Sequence, residues 1–126
     1  MKKIFFVLLM AFSCSAWAEW EYVTESTEDF FFLDASTLRK NGNIRKIWGA
    51  ANFSNILLSG AQSSRWLVEF DCKREQYRHL EHSLHSEPMA GGTVMSTMDL
   101  PLDGSKWKHV APRSVTSELM KFACAK

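Results

Sequence analysis

The chain has 126 residues, of which 46% are apolar and 23% charged, and its formal net charge at pH 7 is +1. That length holds one ordinary domain and leaves no room for a second core. A charge so close to zero provides no electrostatic footprint for nucleic acid.

Residues 1–18 read as a removable export signal. Lys2 and Lys3 form a basic start, Ile4 to Phe12 is an uninterrupted apolar run, and Ala16-Trp17-Ala18 puts small residues at −3 and −1 ahead of Glu19. Nine apolar residues in a row are too few to cross a bilayer, which takes about 20. Cleavage between Ala18 and Glu19 is therefore expected, and residues 19–126 form the mature domain. Cys14 offers a competing reading, because a lipoprotein signal ends in a Cys that becomes the lipidated first residue. Ser13 suits the position before such a Cys, Ala11 is tolerable and Phe12 is poor. Only in that case is the protein tied to a membrane. The mass of the mature N-terminus separates the two readings.

Of the 15 Lys and Arg residues, two leave with the signal, and the remaining 13 face 14 Asp and Glu. The basic Lys73-Arg74 pair, with Arg78, reads as a solvated strand face. Cys72 and Cys124 are the two cysteines of the mature chain. In an oxidising compartment an even pair reads as a bridge. Closing a loop of about 50 residues contributes roughly 4 kcal/mol in the chain-entropy model. Two free thiols are the alternative. A metal site is disfavoured, since no CxxC or HxxxH spacing occurs.

Trp20 and Tyr22 alternate with Glu19 and Glu21, the period of a half-buried strand. Phe30 to Leu33, bounded by Asp29 and Asp34, reads as a second strand. Asp34 to Thr37 reads as a turn closed by side-chain hydrogen bonds to the backbone. Asn41-Gly42 suits a type I′ hairpin. A third strand, Ile44 to Phe53, should bury Ile44 and Trp48. Residues 55–60 read as a loop. Ser64 to Arg74 is a long strand with Trp66, Val68 and Phe70 on one face, and Cys72 shares their parity. Glu75 to Ser86 follows as a strand, although Leu80 and Leu84 also fit a helical period. Pro88, Gly91 and Gly92 interrupt, and Thr93 to Met98 resumes. Near the end Ser114 suits a helix N-cap, with Leu119, Phe122 and Ala123 on one helical face. The expected class is α+β: an antiparallel β-sheet of about six strands with a C-terminal α-helix packed on it.

No constellation for catalysis stands out. His79, His82 and His85 recur every third residue. On a strand this puts His79 and His85 on one face and His82 on the other, too dispersed for the converging ligands of a zinc site. Glu69 and Asp71 are spaced to share a strand face, where solvent-facing charge outweighs acid–base work. No GxSxG motif is present, and Gly91-Gly92 is too short for a phosphate loop. Most of Trp20, Trp48, Trp66 and Trp107 should be core, with one or two available to a partner. The expectation is a protein without enzymatic activity, cofactor or metal.

Taken in order, Phe32 to Leu38, Arg45 to Trp48, Phe70-Asp71-Cys72, Tyr77-Arg78, Met89 to Gly92, Trp107, Pro112 with Ser114, and Phe122-Ala123-Cys124 resemble the surface-adhesin protein E family of Gram-negative bacteria. The resemblance spans nearly the whole mature chain. It implies a six-stranded antiparallel sheet with a C-terminal helix tethered by a disulfide, in support of Cys72–Cys124. It also implies an exported envelope protein, in the periplasm or at the cell surface. Its best-known member is an outer-membrane lipoprotein that binds host matrix and serum proteins and can dimerise. The expected function is thus a non-enzymatic binding module with a protein partner, a homodimer being possible. The alternative is a periplasmic structural or accessory subunit with no host ligand. No ligand-contacting position carries over residue by residue.

Overall fold

The computed structural model describes residues 18–99 and 106–126. The signal reading of residues 1–18, apart from Ala18 itself, and Cys14 with it, lie outside the described residues. Six strands follow one another as an antiparallel meander: β1 (Trp20–Glu25), β2 (Asp29–Asn41), β3 (Ile44–Phe53), β4 (Ser63–Asp71), β5 (Gln76–Glu87) and β6 (Gly91–Asp99). A two-residue strand, β7 (Lys108–His109), pairs with the start of β5, beside the stretch that β6 occupies. The helix α1 (Val115–Cys124) closes the fold. The class is α+β, as expected; β7 is a short addition.

Strand β4 shows why the sheet has a wet side and a dry side. Its residues alternate, and Trp66, Val68 and Phe70 are at most 5% exposed on the face that α1 covers. Leu33 and Ile47 join them from the neighbouring strands, and Leu119 and Ala123 from α1. The helix begins at Ser114, whose hydroxyl accepts from the Ser117 amide at 3.1 Å while the Ser117 hydroxyl accepts from the Ser114 amide at 3.1 Å. This reciprocal pair satisfies amides that a helix start leaves free. At the other end, Cys124 is bonded to Cys72, just beyond β4.

Several local expectations are corrected by bulges. In β1, Tyr22 lies opposite Phe32 and Thr24 opposite Phe31, so Val23 is an extra residue. An extra residue reverses the side-chain alternation that follows it. Val23 packs against the core, and Tyr22 is left 54% exposed. Asp34 to Thr37 is not a turn between strands but an irregularity inside β2, where the register breaks between Asp34 and Arg39. The expected local bonds do form there. The Ser36 amide donates to Asp34 Oδ1 at 3.0 Å, and Thr37 Oγ1 donates to the Asp34 carbonyl at 2.7 Å. Thr37 Oγ1 also accepts from the Trp48 amide, in place of a ladder bond.

The β2–β3 hairpin closes on the Asn41–Ile44 pair, so its loop is Gly42-Asn43. Only Gly42 has positive φ, 59°, which is the II′ rather than the I′ pattern. Trp48 is half-buried on the face away from α1, and Ile47, fully buried, takes the core position that Trp48 was expected to fill. Gly91 and Gly92 open β6. The preceding loop is Pro88-Met89-Ala90, whose Met89 and Ala90 adopt φ of 58° and 56°. Asn52 Oδ1 and Ser63 Oγ accept from the amides of these two residues and hold them there.

Two outcomes test this packing. A methyl group on Gly49 would stand 2.1 Å from the Trp66 ring, so Gly49→Ala is expected to cost about 1–3 kcal/mol, the usual range for overpacking. It should also shift Trp fluorescence to the red, as urea titration followed by emission will show. Cys72→Ser should lose about 2–5 kcal/mol, and an unchanged melting temperature would make the bridge irrelevant to stability.

Candidate functional site

The sheet is wider than the helix that covers it. Beside the N-terminal half of α1 an open groove of about 360 Å³ runs along the covered face. Its floor is Trp66 and Val68, its outer wall Tyr77, His79 and His82 of β5, and Phe31 and Phe53 lie on the opposite side. Trp66 lies flat over Gly49, the one neighbour without a side chain to obstruct it. The His79 ring meets Trp66 edge-on at 5.8 Å between centroids and Tyr77 at 5.7 Å.

The histidine pattern differs from the expected alternation. Val68 is opposite His79 and Trp66 opposite His82, with Leu67 facing Glu81, so Leu80 is a bulge residue. His79 and His82 thus share the groove face, and His85 lies on the other. Burial holds all three imidazoles below their ordinary value of 6.5. The charges of His82 and Lys108 add to this at His79, and those of Arg65 and His82 at His85. His85, 5% exposed, shares a hydrogen bond of 2.8 Å between Nε2 and the Ser83 hydroxyl. Among the described residues no group of three or more His, Cys, Asp or Glu side chains is placed to hold a metal ion.

Glu69 and Asp71 are engaged separately. Glu69 pairs with Arg78 at 3.4 Å, and Asp71 Oδ1 accepts from the amides of Lys73 and Arg74 in the β4–β5 turn. Lys73 and Arg74 therefore belong to a turn, not to a strand face with Arg78. Of Trp20, Trp48, Trp66 and Trp107 only Trp66 is core. Trp48 lies under the Arg65 guanidinium, 3.9 Å from its ring centre, and Trp107 under that of Arg78 at 4.4 Å. Both are half-buried cation–π platforms.

Exposed apolar side chains gather along β6 and in the β3–β4 loop beside it. Val94, Met95 and Met98 are 51%, 41% and 53% exposed. The β3–β4 loop, with Ile56, Leu57 and a fully exposed Leu58, comes against Met95 at Gly60. Strand β6 ends the sheet, so its outer backbone groups face no further strand among the described residues.

Residues 20–125 match the sequence model of the family described as surface-adhesin protein E. The chain belongs to that family. A crystal form II structure of Haemophilus influenzae protein E superposes with a TM-score of 0.67 at 12% identity, over 84% of this chain and 87% of the other. A second structure of that protein gives 0.65 at 12%, over 84% and 83%. One from a non-typeable strain gives 0.62 at 12%, over 82% and 75%. At this identity the likeness is one of fold. Among curated proteins none matches the chain. By family, then, it is an adhesin-like protein. None of its described helices is long and apolar enough to cross a membrane.

The lowered imidazoles give stability a direction with pH. The unfolded chain takes up protons near pH 6.5, and the folded chain resists them until the pH is lower. The unfolded state thus binds more protons as pH falls below 6.5, and stability declines in that range. The urea midpoint should be lower at pH 5 than at pH 7.5. Replacing both His79 and His82 by Gln should flatten the dependence; an unaltered slope would assign it elsewhere.

Proposed function

We propose that residues 19–126 are a non-enzymatic binding module, exported to the envelope of a Gram-negative bacterium after cleavage between Ala18 and Glu19. In this reading it engages a host extracellular protein by strand addition along β6. Family membership supports the adhesin role, and one observation supports the place of binding. Natural sheet edges are blunted by lysine, proline, inward charge or bulges, and of these β6 shows only the register shifts against β5 around His85. Strand β6, Gly91-Gly92-Thr93-Val94-Met95-Ser96-Thr97-Met98-Asp99, carries no Lys, Arg or Pro and a single charge at its end. Three exposed apolar side chains flank its unpaired backbone. An extended segment laid there gains main-chain hydrogen bonds and apolar contacts together. A second copy of the chain or an envelope protein presents the same chemistry and would compete for the strand.

Protease treatment of intact cells should remove the protein. The purified mature chain should capture matrix or serum proteins. Val94→Lys with Met98→Lys should weaken capture at least about tenfold, a loss of ~1.4 kcal/mol, with little change in melting temperature, since both residues are exposed. A protein found strictly in the periplasm would end the adhesin reading and leave the accessory-subunit one. A dimer that dissociates in the double variant would assign β6 to self-association.

A further inference from the structure

A carboxylate withdrawn from water is costly unless hydrogen-bonded and matched by a positive charge. Asp34 is 3% exposed. Among the described residues it forms no ion pair with Lys, Arg or His. Its Oδ1 accepts from the Ser36 amide and hydroxyl. Its Oδ2 accepts from a single donor, the backbone nitrogen of Glu19 at 3.2 Å. Glu19 is the residue that follows the expected cleavage bond. The next residue, Trp20, is the first of β1 and lies directly opposite Asp34 in the ladder. The nitrogen is thus held against the carboxylate by strand register.

We propose that Asp34 is the binding site for the chain's own processed N-terminus. An export peptidase hydrolyses the Ala18–Glu19 bond. Water adds across it, Ala18 departs with the signal as a carboxylate, and the Glu19 nitrogen takes up a proton to become an α-ammonium. The same nitrogen that donated as a neutral amide now donates as a cation, and the part-buried Asp34–Glu19 contact becomes an ion pair. The bond to the carboxylate is charge-assisted before cleavage, and afterwards both of its partners carry charge. The pocket around Asp34 is also lined by Ala18, Trp20, Thr37, Trp48 and Arg65. Arg65 is the other charged group there, and its guanidinium stacks on Trp48 without pairing with Asp34. The negative charge of Asp34 is left for the N-terminus. Cleavage ahead of Cys14 has the opposite consequence. Residues 14–18 would still precede Glu19, its nitrogen would remain an amide, and Asp34 would keep no cation.

The proposal rests on export with cleavage after Ala18, and two measurements keep the two apart. Mass spectrometry of the exported protein tests the cleavage: a first residue other than Glu19 ends that reading, and the ion pair with it. With Glu19 first, the α-amine is titrated by its rate of acylation and by NMR. Its pKa should lie at least one unit above the ordinary 7.7–8.0, with acylation at pH 7 slowed about tenfold. Selective acetylation of that amine should lower the folding constant about tenfold at pH 7. The gain belongs to the protonated amine, so it is fully present below its unfolded pKa and lost as pH rises past the folded value. Asp34→Asn, which keeps an oxygen for Ser36, should return the amine to its ordinary pKa and make acetylation neutral. An amine with ordinary pKa and reactivity in the native chain overturns the proposal, as does a raised pKa that persists in Asp34→Asn.

Discussion

A helix of ten residues does not persist in water by itself, because its nucleation cost is repaid only over about 12–15 residues. Everything on the covered face of the sheet depends on α1 being held there. Three constraints act in series along it. The Ser114–Ser117 pair fixes where it starts, Leu119 and Ala123 fix which side faces Leu33 and Phe70, and the bond from Cys124 to Cys72 fixes its end. The disulfide also limits how far α1 can drift in the unfolded chain, which is where such a link has most effect.

The length of that helix explains the groove. Ten residues rise about 15 Å, and six strands spaced about 4.8 Å apart span about 24 Å. One helix of this length does not roof the whole sheet. It packs over β1 to β4, and the rest of the face is filled from below by large rings instead of from above by backbone. Trp66 lies down on Gly49, and His79 stands edge-on between Trp66 and Tyr77. Burial in such a place disfavours the charged form of histidine. The groove is therefore apolar at neutral pH and becomes unfavourable to the fold in acid, a direct result of partial roofing.

The sequence conveyed these elements to different depths. The alternation of Trp66, Val68 and Phe70 was legible because β4 carries no inserted residue of its own and is buried on one face. Ser114 was legible as a cap because its reciprocal bonds lie within four residues. The side of the sheet on which Tyr22 and the histidines fall was not legible. Each depends on a single bulge residue, Val23 or Leu80, and one inserted residue inverts every position after it. Nothing local distinguishes Leu80 as that residue, since it is set by pairing with Leu67 and Val68 on another strand. Trp48 misled for a related reason. A large aromatic was expected in the core, but Ile47 holds the core parity and Trp48 is stabilised on the far face by Arg65. The exposed β6 edge was legible only as a strand, because whether a strand is an edge is a property of the sheet.

The two edges of the sheet are unlike, and this asymmetry bears on what the molecule can assemble into. Strand β1, the other edge, exposes Glu21 and Glu25 and follows an exposed Glu19. Repeated negative charge makes such an edge a poor template for another strand. Strand β6 has no comparable charge along Gly91 to Met98 and exposes apolar side chains instead. Were both edges receptive, β6 of one molecule would add to β1 of the next, a head-to-tail contact that does not close and grows into fibres. With one receptive edge, the proposed strand addition would end after a single event, whether the added strand came from a partner protein or from a second copy related by a two-fold axis. Under the proposed strand addition, the glutamates of β1 would matter as much as the methionines of β6, by keeping the second edge closed.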